Sequence, residues 1–275
     1  MSLVLKPGAG LALTAVALWL PVPVLAHSPG ADPVSDMLAT LLGLSVFFTL
    51  WGAYLRGGKR VRRRGNPWLF HGALAVAAAT IWGPLDHWAV TSASAHMVQH
   101  MLFLNLLAPM LVVSRPLPQI MAGLGWRAAG VSRVLQRGAN RPMTVSYWHG
   151  LVIWFWHMPF FYALAIRNPW VHLLEHAFFI VAAIVFWWSI FHGAARNLGL
   201  TLCSLLLTLM HTGILGAVLT FSGYPLYGHH YTLEDQQLAG LIMWVIGAAP
   251  YFLAAVWVTW SGYQRLRTQV PDEAG

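Results

Sequence analysis

Two five-residue strings concentrate the metal-binding side chains of this sequence. His172-Leu173-Leu174-Glu175-His176 fits the H-x-x-E-H pattern of inverted zinc proteases, where two histidines hold a metal and the glutamate activates water. His96-Met97-Val98-Gln99-His100 aligns with it residue for residue. Positions four apart are neighbours on one helix face, so each string presents two imidazoles together. Where a hydrolase needs a general base, the second string carries Gln99, which cannot take a proton. What the strings share is the histidine pair. Glu175 stays open to the roles of ligand, proton acceptor or anchor for an imidazole.

The likeness extends upstream. His71-Gly72 matches His149-Gly150, and Trp82-Gly83-Pro84 matches Trp156-His157-Met158-Pro159, at similar distances from the histidine pairs. Segments 67–113 and 143–191 therefore read as an internal duplication, and sites in membrane folds tend to lie between such copies.

The other histidines sharpen this. His87, His96, His100, His157, His172, His176, His211, His229 and His230 all fall toward one end of the apolar segments, whereas His71, His149 and His192 fall toward the other and read as structural. At about 1.5 Å of rise per residue, His100, His157, His176 and His211 lie roughly 8–15 Å below the ends of four different spans. That predicts a layer of imidazoles from four helices, with His96 and His172 one turn nearer the surface. Met97 and Met101 flank the first pair, and Met158 and Met210 adjoin His157 and His211. Thioether plus imidazole without thiolate points to copper before zinc or iron. Cys203 is the single cysteine, which excludes a Cys-x-x-Cys site within the chain. Asp86, His87, Glu175, His229, His230, Glu234 and Asp235 are expected to orient imidazoles or attract cations at the entrance.

Such a layer needs apolar helices to hold it. The chain has 275 residues, 58% hydrophobic and 9% charged, the composition of a multi-span membrane protein. Its net charge of +8 does not mark a nucleic-acid partner, because the basic residues lie between apolar runs of about 20 residues. The fold class expected is all-α and polytopic. Seven transmembrane helices, near 35–55, 67–84, 92–113, 143–165, 171–191, 198–221 and 238–260, follow an N-terminal signal-like segment.

Residues 1–26, with Lys6, an apolar stretch and small residues ending at Ala26, form a signal peptide or an uncleaved leader helix. Residues 27–265 form the membrane domain and 266–275 a cytoplasmic tail. Arginine and lysine collect in 56–65, at Arg115, in 126–141, at Arg196 and at Arg265 and Arg267. Alternate connections carry Asp32, Asp36, Asp86, Glu175, Glu234, Asp235 and, of the basic residues, Arg167 alone. By the positive-inside rule the N-terminus is outside, the C-terminus inside, and the histidine layer faces outward.

The strings SAHMVQHMLFLNLLAP (94–109), WHMPFFYALA (156–165), WVHLLEH (170–176), GILGAVLTF (213–221), YPLY (224–227) and DQQLAGLIMW (235–244) occur in an order that resembles the CtaG-like integral-membrane family of cytochrome c oxidase assembly factors, associated with caa-type oxidases. The resemblance covers about residues 35–260. It implies a non-enzymatic role in maturing a haem-copper oxidase, with oxidase subunits as partners, in a bacterial inner membrane, connected to copper supply at the outer face. Its motifs fall on His96, His100, His157, His172, His176, His211 and Asp235. The residues themselves leave a zinc-dependent intramembrane hydrolase, a haem protein and a copper transporter as alternatives.

Overall fold

The computed structural model describes residues 32–62, 65–126, 129–228 and 231–269. The leader, His27, the last residues of the tail, and His229 and His230 lie outside the described residues. In chain order the helices are α1 (Pro33–Gly57), α2 (Pro67–Ile81), α3 (Pro84–Ala89), α4 (Ala93–Leu102), α5 (Ala108–Ser114), α6 (Leu117–Leu124), α7 (Ala129–Ala139), α8 (Pro142–Trp156), α9 (Pro159–Arg167), α10 (Pro169–Gly193), α11 (Leu198–Phe221), α12 (Leu233–Leu241) and α13 (Gly247–Gln269). There is no strand among the described residues.

Local sequence sets most of the starts. Six helices open on a proline, at Pro33, Pro67, Pro84, Pro142, Pro159 and Pro169, where the missing N–H would have had no helical partner anyway. Asp32, Asn66 and Asn168 precede three of them and accept first-turn N–H groups with their side chains.

Among the described residues, six spans are long and apolar enough to cross a membrane: Pro33–Gly57, Pro67–Ala89, Ala93–Ser114, Pro169–Gly193, Leu198–Phe221 and Leu233–Thr268. The α8–α9 pair is bent by 67° at His157 and Met158 and makes up to a seventh. The bend follows from Pro159, which cannot continue the α8 hydrogen-bond ladder.

Two spans contain π-helical turns, Phe103–Leu107 between α4 and α5 and Ile242–Ile246 between α12 and α13. A proline follows each, Pro109 and Pro250, and removes one N–H from the backbone ladder at the turn. The loosened Leu104 carbonyl accepts a 2.7 Å bond from the Trp187 indole of α10. The Asn105 amide in the first turn donates to the carbonyl of Gly247, just past the second.

Helix α10 is the centre of the bundle. Glu175, His176, Phe179, Ala183, Phe186, Trp187, Ile190 and Gly193 are buried at helical spacing, while Leu174, Phe178 and Val181 face outward where acyl chains would lie. It packs on α8, α7, α5, α9 and α11, and its histidine string faces the first, with His100 and His176 5.8 Å apart between ring centroids. The arginine-rich end is held by α7, as Arg196 donates to Asn140 and, at 3.0 Å, to Gln136.

Candidate metal centre

The first turns of α10 and the middle of α4 bring the two histidine strings face to face. His96 and His100 are one turn apart on α4, with their Nε2 atoms 2.8 Å from each other. Across from them, the Glu175 carboxylate stands 3.9 Å from His96 Nε2 and 3.8 Å from His100 Nε2. With His176 these residues offer three imidazole nitrogens and one carboxylate oxygen, all within 4.8 Å of one another and all buried. Metal–nitrogen and metal–oxygen bonds of about 2.0–2.2 Å span up to roughly 4.4 Å across an ion, so small side-chain rotations would close the set.

The unmet polarity of the chamber fits a cation. His100 Nδ1, His176 Nε2, His157 Nε2 and both Glu175 oxygens are buried without a hydrogen-bond partner. A buried carboxylate with no donor is costly, and a shared cation among imidazoles removes that cost. His157 lies at the α8–α9 bend. Its Nδ1–H donates to the Ile153 carbonyl at 2.8 Å, which leaves Nε2 with a free lone pair, and its ring centroid is 6.0 Å from that of His100. His172 is 4.1 Å from His176 and 5.4 Å from His96, centroid to centroid, and forms the surface side of the chamber. A cleft lined by Asp36, Gly43, Trp82, Asp86, His172 and His176 opens from there.

The remaining expected residues fall elsewhere. His211 does not join the layer: it lies on α11 against Gly150 of α8. Met97 and Met101 are buried in the apolar core. The Met101 sulfur accepts from Asn105 and abuts Gly247 at the start of α13. Met158 and Met210 are exposed on the outer surface of the bundle. His87 and Glu234 are also exposed.

Asp235 orients no imidazole. Its carboxylate accepts from the Ser92 hydroxyl, the Ala93 and Ser94 N–H groups and the Ser94 hydroxyl, at 2.5–3.2 Å, so it caps the N-terminus of the helix that carries His96 and His100. Asp86 accepts from Gln99 at 2.8 Å, and Gln99 also donates to the Thr80 carbonyl at 2.9 Å, tying α4 to α2 and α3.

Four residues that were not among the expected site residues also border the chamber. Asp36, one turn into α1, is buried at the cleft. Tyr162 of α9 packs 5.3 Å from His96 and stacks at 3.8 Å on Tyr227, whose hydroxyl donates to the His157 carbonyl. Tyr231 donates to the Ala89 carbonyl. Burial pushes the Tyr231 phenol up to about 12 and raises Tyr227 as well, so both roof the chamber as neutral donors.

A family model for the cytochrome c oxidase caa3 assembly factor (Caa3_CtaG) matches residues 52–265, which include every residue of this chamber. The chain belongs to that family. Comparison with curated proteins and with solved structures gave no match. As a member of the caa3 assembly factors, a multi-pass membrane protein associated with oxidase maturation, the chain gains a context for its chamber from the family, and the donors come from its own residues.

Proposed function

We propose that this caa3 assembly factor binds copper in the chamber formed by His96, His100, Glu175 and His176, and supplies it to the oxidase during assembly. The convergence of those four buried ligand atoms within 4.8 Å carries the reading. Copper heads the affinity order of divalent first-row metals for nitrogen and oxygen donors, and no thiolate is needed. His172 and the cleft beside it, with the Asp36 and Asp86 carboxylates, form the entrance, and His157 takes part in exchange. The arginine-rich connections at the other end of the bundle support a cytoplasmic position for that end, with the chamber opening to the outer face.

Zinc suits the same donors and remains the alternative ion. Hydrolysis is the weaker reading because Glu175 lies among the donors rather than apart from them, facing the α4 imidazoles at 3.8–3.9 Å. The close approach of the four donors leaves no room for a macrocycle among them. The test is metal analysis of the purified protein, wild type against His100→Ala with His176→Ala, with the oxidase spectrum of a deletion strain beside it. Copper in the wild type, its loss in the double variant and a depleted oxidase support the reading. A metal-free wild type with a normal oxidase in the deletion strain overturns it.

A further inference from the structure

His149 and His211, one expected to be structural and the other expected in the chamber, meet on the α8–α11 contact deeper in the bundle. His149 lies about 12 Å from His157 along α8, eight residues at a rise of about 1.5 Å. It is buried and stacks on Phe186 at 4.7 Å. The edge of the His211 ring is set against the α8 backbone beside it, where a Cβ at Gly150 would stand 2.9 Å from His211 Nε2. Glycine at 150 is what gives that ring its place.

All four ring nitrogens of this pair are buried and have no hydrogen-bond partner. Neutral imidazoles kept only for packing normally find a carbonyl, as His192 finds the Trp188 carbonyl at 3.1 Å. Here neither ring does. Thr212, next to His211 in the chain, lines a small cavity together with Met101, Asn105, Ile153, Met243 and Tyr251. Two thioethers and the unpartnered Asn105 side-chain carbonyl thus face this cavity. On the far side, Ser146, Ser204 and Thr208 continue a polar seam along the same helix contact, as Thr208 donates to Ser146 at 3.3 Å and Ser204 donates to the Pro142 carbonyl at 3.1 Å.

We propose that His149 and His211 form a second metal site, for a soft univalent ion such as Cu(I), on the α8–α11 seam. The described carboxylates all lie toward the chamber end, at positions 32, 36, 86, 175, 234 and 235, so a divalent ion here would be uncompensated. Imidazole with thioether nearby suits Cu(I). The site stands on its own residues and does not require the chamber to be filled. With both sites, the protein has a staged route into the membrane rather than one surface chamber.

The test is Cu(I) titration, under ascorbate, of the full-length protein in detergent or nanodiscs, with bound copper counted per chain. His149→Gln with His211→Gln is expected to bind one equivalent less than wild type, His100→Gln with His176→Gln also one less, and the fourfold variant two less. A His149/His211 variant that binds as much as wild type overturns this second site and leaves the chamber standing. A His100/His176 variant that binds as much as wild type, while the deep variant loses one equivalent, overturns the chamber instead. If the deep double variant is not recovered as a single species, His211→Gln alone replaces it, and undiminished binding by that variant refutes the site.

Discussion

The strings HMVQH on α4 and HLLEH on α10 share their histidines and differ in what the fourth residue does. Gln99 turns outward from the chamber and bonds the Thr80 carbonyl and Asp86, so it fastens α4 to its neighbours. Glu175 turns inward and faces His96 and His100 across the chamber. In the proposed metal centre one string supplies two ligands and a brace, and the other supplies a ligand, a charge and a surface-side imidazole. The difference teaches that a shared pattern on two helices can divide its labour between the metal and the scaffold.

The largest effect expected from breaking this division is removal of one histidine from each string. His100→Ala with His176→Ala should abolish chamber copper, leaving affinity at least about 100-fold weaker, in a competition titration with a chelator. Next comes Glu175→Gln, which makes the second string resemble the first. It should weaken binding about 10- to 100-fold while the protein stays folded, as the buried charge that matches the cation is lost. Gln99→Ala should do the reverse: thermal unfolding should show a loss of about 1–3 kcal/mol for two hydrogen bonds, with metal affinity changed by less than about 3-fold.

How much of this was legible follows from what each signal encodes. The spans and their starts were readable because apolar length and proline placement act locally, at Pro67, Pro142 and Pro169 alike. The histidine pairs were readable because spacing of four fixes a shared face. Rise per residue gives a level and not a direction around the helix, so His211 was expected in a layer that its α11 face does not reach. Which way Glu175 and Gln99 turn depends on what the neighbouring helices offer, Thr80 and Asp86 in one case and two imidazoles in the other. Asp235 caps a helix more than 140 positions away in sequence, a pairing with no local mark.

Two smaller effects sharpen the comparison. Asp235→Asn weakens the cap of the HMVQH helix only, so stability should fall by about 1 kcal/mol, read by chemical unfolding, and copper affinity by a few-fold at most. Met101→Leu should change chamber affinity by less than about 2-fold, because its sulfur faces Asn105 and Gly247 and a volume-conserving exchange is tolerated there.

The most direct measurement is X-ray absorption on the purified protein loaded with one equivalent of Cu(II). Ligation by both strings predicts a first shell of nitrogen and oxygen at about 2.0 Å, with imidazole scattering that disappears, together with the copper, in His100→Ala with His176→Ala. A sulfur neighbour at about 2.3 Å, or copper bound unchanged in that variant, would contradict the chamber.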